Sequence, residues 1–268
     1  MKLYTHTDRI YRELQERGLS LDDRLHAESD LSDLDSWHYL GTSAIRRGLE
    51  QARIGESSRV LDVGSGLGGP ARLLALWTNC QVEAVELQED SHEVASKLTE
   101  RCGLSDRVHH ICGDILELDL PPNSFDALVS WLVFLHIPDT PRLFQRCHSW
   151  LKPGGYLYVE DFYQRGDFTK GEQESLARDV YVNELPTWKA LEQNLLAADF
   201  EIVEMLDMTE AWTSYVGERW EVYQANHDRH ERVHGADGAT SLAHFYRSVH
   251  DLFQGGNLGG VAYTVRKR

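Results

Sequence analysis

Residues 59–76 read Arg-Val-Leu-Asp-Val-Gly-Ser-Gly-Leu-Gly-Gly-Pro-Ala-Arg-Leu-Leu-Ala-Leu, and few folds accommodate such a stretch. Val60, Leu61 and Val63 make a short apolar run suited to a strand covered on both faces, as in parallel sheets. Gly64, Gly66, Gly68 and Gly69 permit positive φ and leave no Cβ between the backbone and a ligand, and Pro70 suits the first turn of a helix. A strand, a bare turn and a helix N-terminus form a cradle of nucleotide size. Gly64, Gly66 and Gly69 satisfy G-x-G-x-x-G, a pattern compatible with a nicotinamide dinucleotide. Asp62 argues for another ligand. A carboxylate two residues before the first glycine repels a pyrophosphate and attracts an ammonium group, so the expected cofactor carries an amino acid: S-adenosylmethionine.

The chain beyond this point alternates strands and helices. Residues 80–86 read as a second strand, and Glu86 at its end is placed to accept from both ribose hydroxyls. A helix over 89–102 and a third strand over 108–112 follow, ending at Gly113-Asp114-Ile115. Asp114 can accept from an adenine amino group, with Leu87 and Ile115 on either face of the ring. Residues 125–130 form a fourth strand that leads into 131–136. A helix over 140–151 is stopped by the turn signal Lys152-Pro153-Gly154-Gly155, before a fifth strand at 156–161. This pattern specifies an α/β, doubly wound (Rossmann-like), mostly parallel seven-stranded sheet. Asp62, Glu86, Asp114, Trp131 and Asp161 all fall at its C-terminal edge, where such sheets bind ligands.

The expected organisation has an N-terminal helical flap at 1–35 and a cofactor-binding core at 36–162. A cap segment at 163–185 precedes the core's continuation at 186–208, a helical cap insertion at 209–257 and a last core strand at 258–268. The insertion is too long for a plain connection in a compact domain. It carries Trp212, Tyr215, Trp220 and Tyr223 before His227, His230 and His234. The three histidines fall on one helical face, but no fourth ligand is identifiable and no metal is expected.

Charge narrows the partners. With 43 acidic and 27 basic residues the net charge is −16, which disfavours nucleic acid and anionic membrane surfaces. No run of apolar residues is long enough to span a bilayer. Cys80, Cys102, Cys112 and Cys147 lack metal-site spacing and come without a secretion signal, as in a cytoplasmic protein with reduced thiols.

With these residues placed, the chain resembles the class I S-adenosylmethionine-dependent methyltransferases. The resemblance is carried by Val60-Leu61-Asp62-Val63-Gly64-Ser65-Gly66-Leu67-Gly68-Gly69, Glu86, Gly113-Asp114, Phe125-Asp126-Ala127-Leu128 and Leu151-Lys152-Pro153-Gly154-Gly155. Within the class, the Gly-Leu-Gly-Gly turn, the Trp37 segment and the insertion are similar to the sarcosine/dimethylglycine and phosphoethanolamine N-methyltransferases. The resemblance implies a cofactor site of Asp62, Gly64, Ser65, Gly66, Gly68, Glu86, Leu87, Asp114, Ile115 and Trp131. Where the phosphoethanolamine enzymes carry an acidic residue at the end of the fourth strand, this chain has Leu132, with His136 retained.

The expected reaction is in-line methyl transfer to the nitrogen of a small amine or amino acid of the glycine, sarcosine or dimethylglycine kind. His136 would take or relay the acceptor's proton, and Trp37, Tyr39, Trp212 and Tyr215 would face the developing ammonium. The product would be S-adenosylhomocysteine and the protein a monomer or homodimer. Transfer to oxygen, sulfur or carbon, phosphoethanolamine as acceptor, and an NAD-dependent oxidoreductase are the alternatives.

Overall fold

The structure is a computed structural model that describes residues 9–182 and 184–268. The first eight residues of the expected flap lie outside them. Helix α1 (Arg9–Glu16) and a short π-helical turn (Ala27–Leu31) precede α2 (Thr42–Gln51). The core then runs β1 (Arg59–Val63), α3 (Gly69–Thr78), β2 (Gln81–Glu86), α4 (Glu89–Arg101), β3 (Val108–Cys112), β4 (Phe125–Trp131), α5 (Thr140–Trp150) and β5 (Leu151–Gln164). After α6 (Lys170–Asp179) come α7 (Trp188–Ala197), β6 (Phe200–Asp207), α8 (Thr209–Ala225), α9 (His227–Gly255) and β7 (Leu258–Lys267).

The seven strands lie in the order β3-β2-β1-β4-β5-β7-β6. The pairs among the first five are parallel, and β7 is antiparallel to both β5 and β6. The order reverses beside β1, so the crevice beyond the carboxyl ends of β1 and β4 is the natural ligand position. Val60, Leu61, Val63 and Val129 are fully buried, as strands covered by helices on both faces require.

Local chemistry sets the element ends. Pro70 opens α3 and Asn79 closes it in the left-handed conformation, a role Asn fills with little strain. Thr169 and Glu172 form a reciprocal capping box at α6, and Asp139 caps α5 by accepting from Arg142 N. One boundary departs from the sequence expectation. Lys152–Gly155 does not end at a turn before the fifth strand but belongs to β5, which pairs Leu151 with Phe125 and then shifts register to Tyr156 opposite Ala127. Gly154 at φ +79° supplies the irregularity, and Lys152 Nζ reaches both oxygens of Asp126 at 2.7 and 2.8 Å.

Helices α8 and α9 pack on each other between β6 and β7, and α9 also meets α1 and α6. Gly235, at φ +78° and ψ +163°, breaks α9 into two helical pieces. Trp212 fastens this insertion to the sheet. It is fully buried, and a Cβ on Gly260 of β7 would lie 2.2 Å from its ring. Among the described residues no helix is long and apolar enough to cross a membrane.

Candidate active site

A cavity of about 370 Å³ opens between the carboxyl ends of the strands and the helices α1, α8 and α9. Its sheet-side wall begins with the glycine turn. Gly64 stands at φ +75°, and a Cβ there would lie 2.3 Å from Val133, so this position requires glycine on two counts. Gly64 N and Ser65 N both donate to Val85 O, at 2.9 and 2.8 Å. Gly66 N donates to Glu86 Oε2 at 2.9 Å, while Gln88 N donates to Oε1 at 2.8 Å. Glu86 thus fixes the turn as well as facing the cavity, and burial raises its carboxyl. Each oxygen keeps a second lone pair for a hydroxyl donor.

Asp62 is 1% exposed, and its Oδ2 has no hydrogen-bond partner. Burial, with the neighbouring charge of Glu86, pushes its carboxyl up to about 7. An orphaned buried acceptor of this kind calls for a donor, preferably a cation. Leu87, Asp114 and Ile115 line the same cavity. Asp114 Oδ1 accepts from Leu116 N at 2.8 Å, which orients the carboxylate. The residues present therefore fit an adenosyl group bearing an amino acid: an ammonium partner at Asp62, a hydroxyl acceptor at Glu86, and apolar faces at Leu87 and Ile115. Gly68 does not fit this role. It lies off the cavity wall, and a Cβ there would meet His110 and Arg72 at 2.7 and 2.8 Å, so packing beneath the turn demands the glycine.

Beyond the turn the wall is aromatic. Trp131 and His38 pack with ring centroids 5.8 Å apart, Tyr39 lines the cavity, and Arg9 lies 5.1 Å above the ring of Trp37. Burial brings His38 down to about 4, so its imidazole is neutral at pH 7. His136 also lines the cavity, in the short helical turn Phe134–His136, with Nδ1 buried and unpartnered. Burial lowers it to about 4 against the opposing contact with the Tyr181 backbone. Asp161 holds this turn from below: Leu135 N donates to its Oδ2 at 2.9 Å and Phe162 N to its Oδ1 at 2.7 Å.

Two residues expected to face the acceptor do not line the cavity. Trp212 is part of the core, packed edge-to-face on Tyr39 with ring centroids 5.0 Å apart and with further contacts to Phe162 and Phe253. Tyr215 stands behind Tyr39, at a centroid distance of 5.7 Å. An indole and a phenol that alternate on one helical face are used to anchor α8, which burial favours over exposure to a polar ligand.

The sequence reading missed Arg219. Tyr215, Arg219 and Tyr223 recur every four residues and share one face of α8, a signal that was available. Arg219 lines the cavity, its Nη2 donates to Tyr246 Oη at 3.0 Å, and its guanidinium lies 4.4 Å from the centre of that ring. Among the described residues no carboxylate pairs with it. Burial alone would raise Tyr246, but the charges of Arg219 and Arg9 outweigh it and bring the phenol down.

The histidines of α9 resolve differently. His227 is exposed, whereas His230 and His234 approach Glu13 of α1. Glu13 is already engaged: Arg229 Nη2 donates to Oε2 at 2.5 Å and His234 Nε2 lies 2.8 Å from Oε1. Burial would raise this carboxyl, but those hydrogen bonds hold it at about 2. The cluster ties α1 to α9 over the cavity.

The sheet order, the acidic strand ends and the glycine turn make a Rossmann-like α/β domain with a ligand-sized cavity at its switch point. Residues 61–159 match the family model described as a methyltransferase domain. A sterol 24-C-methyltransferase of Aspergillus fumigatus is 31% identical over 165 residues, 62% of this chain and 40% of that protein. A glycine/sarcosine/dimethylglycine N-methyltransferase of Actinopolyspora halophila is 25% identical over 221 residues, 82% of this chain and 39% of that protein. The chain thus spans less than half the length of these two curated relatives. A phosphoethanolamine N-methyltransferase of Haemonchus contortus, solved with phosphomonomethylethanolamine and S-adenosylhomocysteine, superposes with a TM-score of 0.80. At 23% identity over 87% of this chain and 54% of that one, it shares the fold.

Proposed function

We propose that this chain transfers a methyl group from S-adenosylmethionine to the nitrogen of a small amine that carries a carboxylate, of the glycine, sarcosine or dimethylglycine kind. The observation that carries this reading is Arg219, a guanidinium on the cavity wall that has no carboxylate partner among the described residues. A single planar guanidinium matches a carboxylate bidentately. The cavity volume also favours a small acceptor, since about 370 Å³ lies near the low end of the roughly 300–1,000 Å³ of ligand pockets, and the cofactor occupies part of it. A sterol-sized acceptor fits that space poorly.

S-adenosylmethionine would supply, when bound, a sulfonium methyl open to in-line attack by a nitrogen lone pair, with S-adenosylhomocysteine as the leaving group. The chain's own contribution is position: effective molarity for well-held reactants lowers a barrier by roughly 7–11 kcal/mol. Asp62 and Glu86 fix the cofactor end, and Arg219 with Tyr246 fixes the acceptor's anionic end. His136, at about 4, is neutral at pH 7 and too weak a base to hold a proton taken from an ammonium. It acts as a hydrogen-bond acceptor that orients the amine, while water carries the proton away. Trp131, Trp37 and Tyr39 give the developing ammonium aromatic faces worth about 0.5–2 kcal/mol each when desolvated.

A second reading, a phosphorylated amine, is favoured by Arg9 and Arg12, which also line the cavity. Incubation with labelled S-adenosylmethionine and a panel of glycine, sarcosine, dimethylglycine, phosphoethanolamine, thiols, phenols and a sterol separates these. Label is expected on the carboxylated amines. Label confined to an oxygen, sulfur or carbon acceptor sinks it, and a preference for phosphoethanolamine selects the second reading.

A further inference from the structure

Asp35 and Arg72 form an ion pair with both side chains buried, 1% and 0% exposed. Arg72 engages both of its Nη groups, leaving only the buried Nε without a partner. Its Nη2 donates to Asp35 Oδ2 at 2.5 Å and to Leu67 O at 2.7 Å, and its Nη1 to Thr99 Oγ1 at 3.1 Å and Ala95 O at 3.3 Å. Asp35 Oδ1 also has no partner although the residue is only 4% exposed. Its position is telling, because a Cβ on Gly69 would lie 2.5 Å from that same Oδ1. The carboxylate therefore rests on the last glycine of the turn, at the N-terminus of α3, and Asp35 is part of the cavity wall.

Around this one turn stand two buried carboxylates, Asp35 and Asp62, each with an oxygen lacking a donor. Burial raises both, to about 6 and about 7, despite the guanidinium beside Asp35. A protein seldom leaves two such acceptors unfilled in one wall.

We propose that Asp35 is a second carboxylate of the cofactor site, accepting through Oδ1 from the α-ammonium of the cofactor's amino-acid end opposite Asp62, while Arg72 holds it in place. This rests on the reading of the cavity as an S-adenosylmethionine site. It also gives the N-terminal segment a direct part in binding, since Asp35 lies two residues before Trp37 and the aromatic wall.

The test is calorimetric titration of wild type and Asp35→Asn with two ligands: S-adenosylhomocysteine and 5′-methylthioadenosine, which lacks the amino-acid end. Asparagine keeps the size and can still accept from Arg72. The expected result is a loss of about tenfold or more for S-adenosylhomocysteine, the size of a missing charge-assisted bond, with methylthioadenosine bound as in wild type. Unchanged affinity for S-adenosylhomocysteine, or an equal loss for both ligands, overturns the assignment and leaves Asp35 a structural partner of Arg72. Should Asp35→Asn fail to fold, Asp35→Glu retains the charge but displaces the oxygens, and the same selective loss is expected. If wild type binds neither ligand, the cofactor reading itself fails, and the assignment with it.

Discussion

The two walls of the cavity are built by different means. The sheet wall is a set of consecutive strand ends whose backbone groups bond to one another: Gly64 and Ser65 to Val85, Gly113 N to Glu86 O, Leu132 N to Glu160 O. The cap wall is held by side-chain pairs between segments far apart in the chain, Glu13 with Arg229 and His234, and Asp179 with His244 and Ser248. A backbone-built wall offers a fixed frame, suited to a cofactor that never varies. A wall of side-chain pairs can change by single substitutions, suited to an acceptor that differs between related enzymes.

The largest effect on this contrast is expected at the root of the cap. Trp212→Ala should cost about 3–5 kcal/mol of stability, the range for emptying a large aromatic site in a core, measured by urea unfolding. A near-normal midpoint with a raised KM for the acceptor would return Trp212 to the cavity. On the sheet wall, Gly64→Ala should cost roughly 2–5 kcal/mol through positive φ and the clash with Val133. Binding of S-adenosylhomocysteine should be lost with it, and retention of that binding would show that the turn is not the frame described.

Much of the sheet wall is legible in the sequence because it is local. Asp62, Glu86 and Asp114 each sit at the end of a strand whose apolar run marks it, and one chain direction carries all of them to one edge. Gly68 shows the limit, since the pattern that marks a cradle also marks a glycine required by His110 and Arg72. The cap wall is far less legible. Asp35 reaches the turn only through a buried pair with Arg72, 37 residues away, and Arg219 reaches the cavity only through the packing of α8 on α9. Trp212 reads as a ligand residue because an aromatic helix face looks the same whether it meets a substrate or a sheet, and Gly260, which makes room for it, lies beyond α9 in β7.

Smaller effects separate the walls further. His136→Ala should lower kcat by about tenfold to a hundredfold, as expected when a reactant is misplaced by an ångström. S-adenosylhomocysteine affinity should stay within twofold, by calorimetry. A large loss of that affinity would move His136 into the cofactor frame.

The two walls should also titrate in opposite senses. Asp62 and Asp161, which burial raises to about 7, add stability that is complete below about pH 4 and is lost as pH rises through 7. Glu13, held at about 2, adds stability that is complete above about pH 4.5 and is lost as pH falls toward 2. A profile of Tm against pH should show both limbs. Glu13→Gln should weaken only the acid one, by about 1 kcal/mol or less given its solvent-facing Arg229 partner. Saturating S-adenosylhomocysteine should flatten the limb approaching pH 7, because an ammonium stabilises the ionised Asp62. A Glu13→Gln profile that differs on the limb near pH 7 would show the walls to be coupled.

The division of labour is tested most directly by crossing two substitutions with two ligands in equilibrium binding. Asp62→Ala is expected to lose S-adenosylhomocysteine by about tenfold to a hundredfold, while Arg219→Ala binds it as wild type does. With S-adenosylhomocysteine saturating, dimethylglycine should bind wild type and fail on Arg219→Ala. Equal losses of S-adenosylhomocysteine in both variants, or dimethylglycine binding that is indifferent to Arg219, would contradict the account.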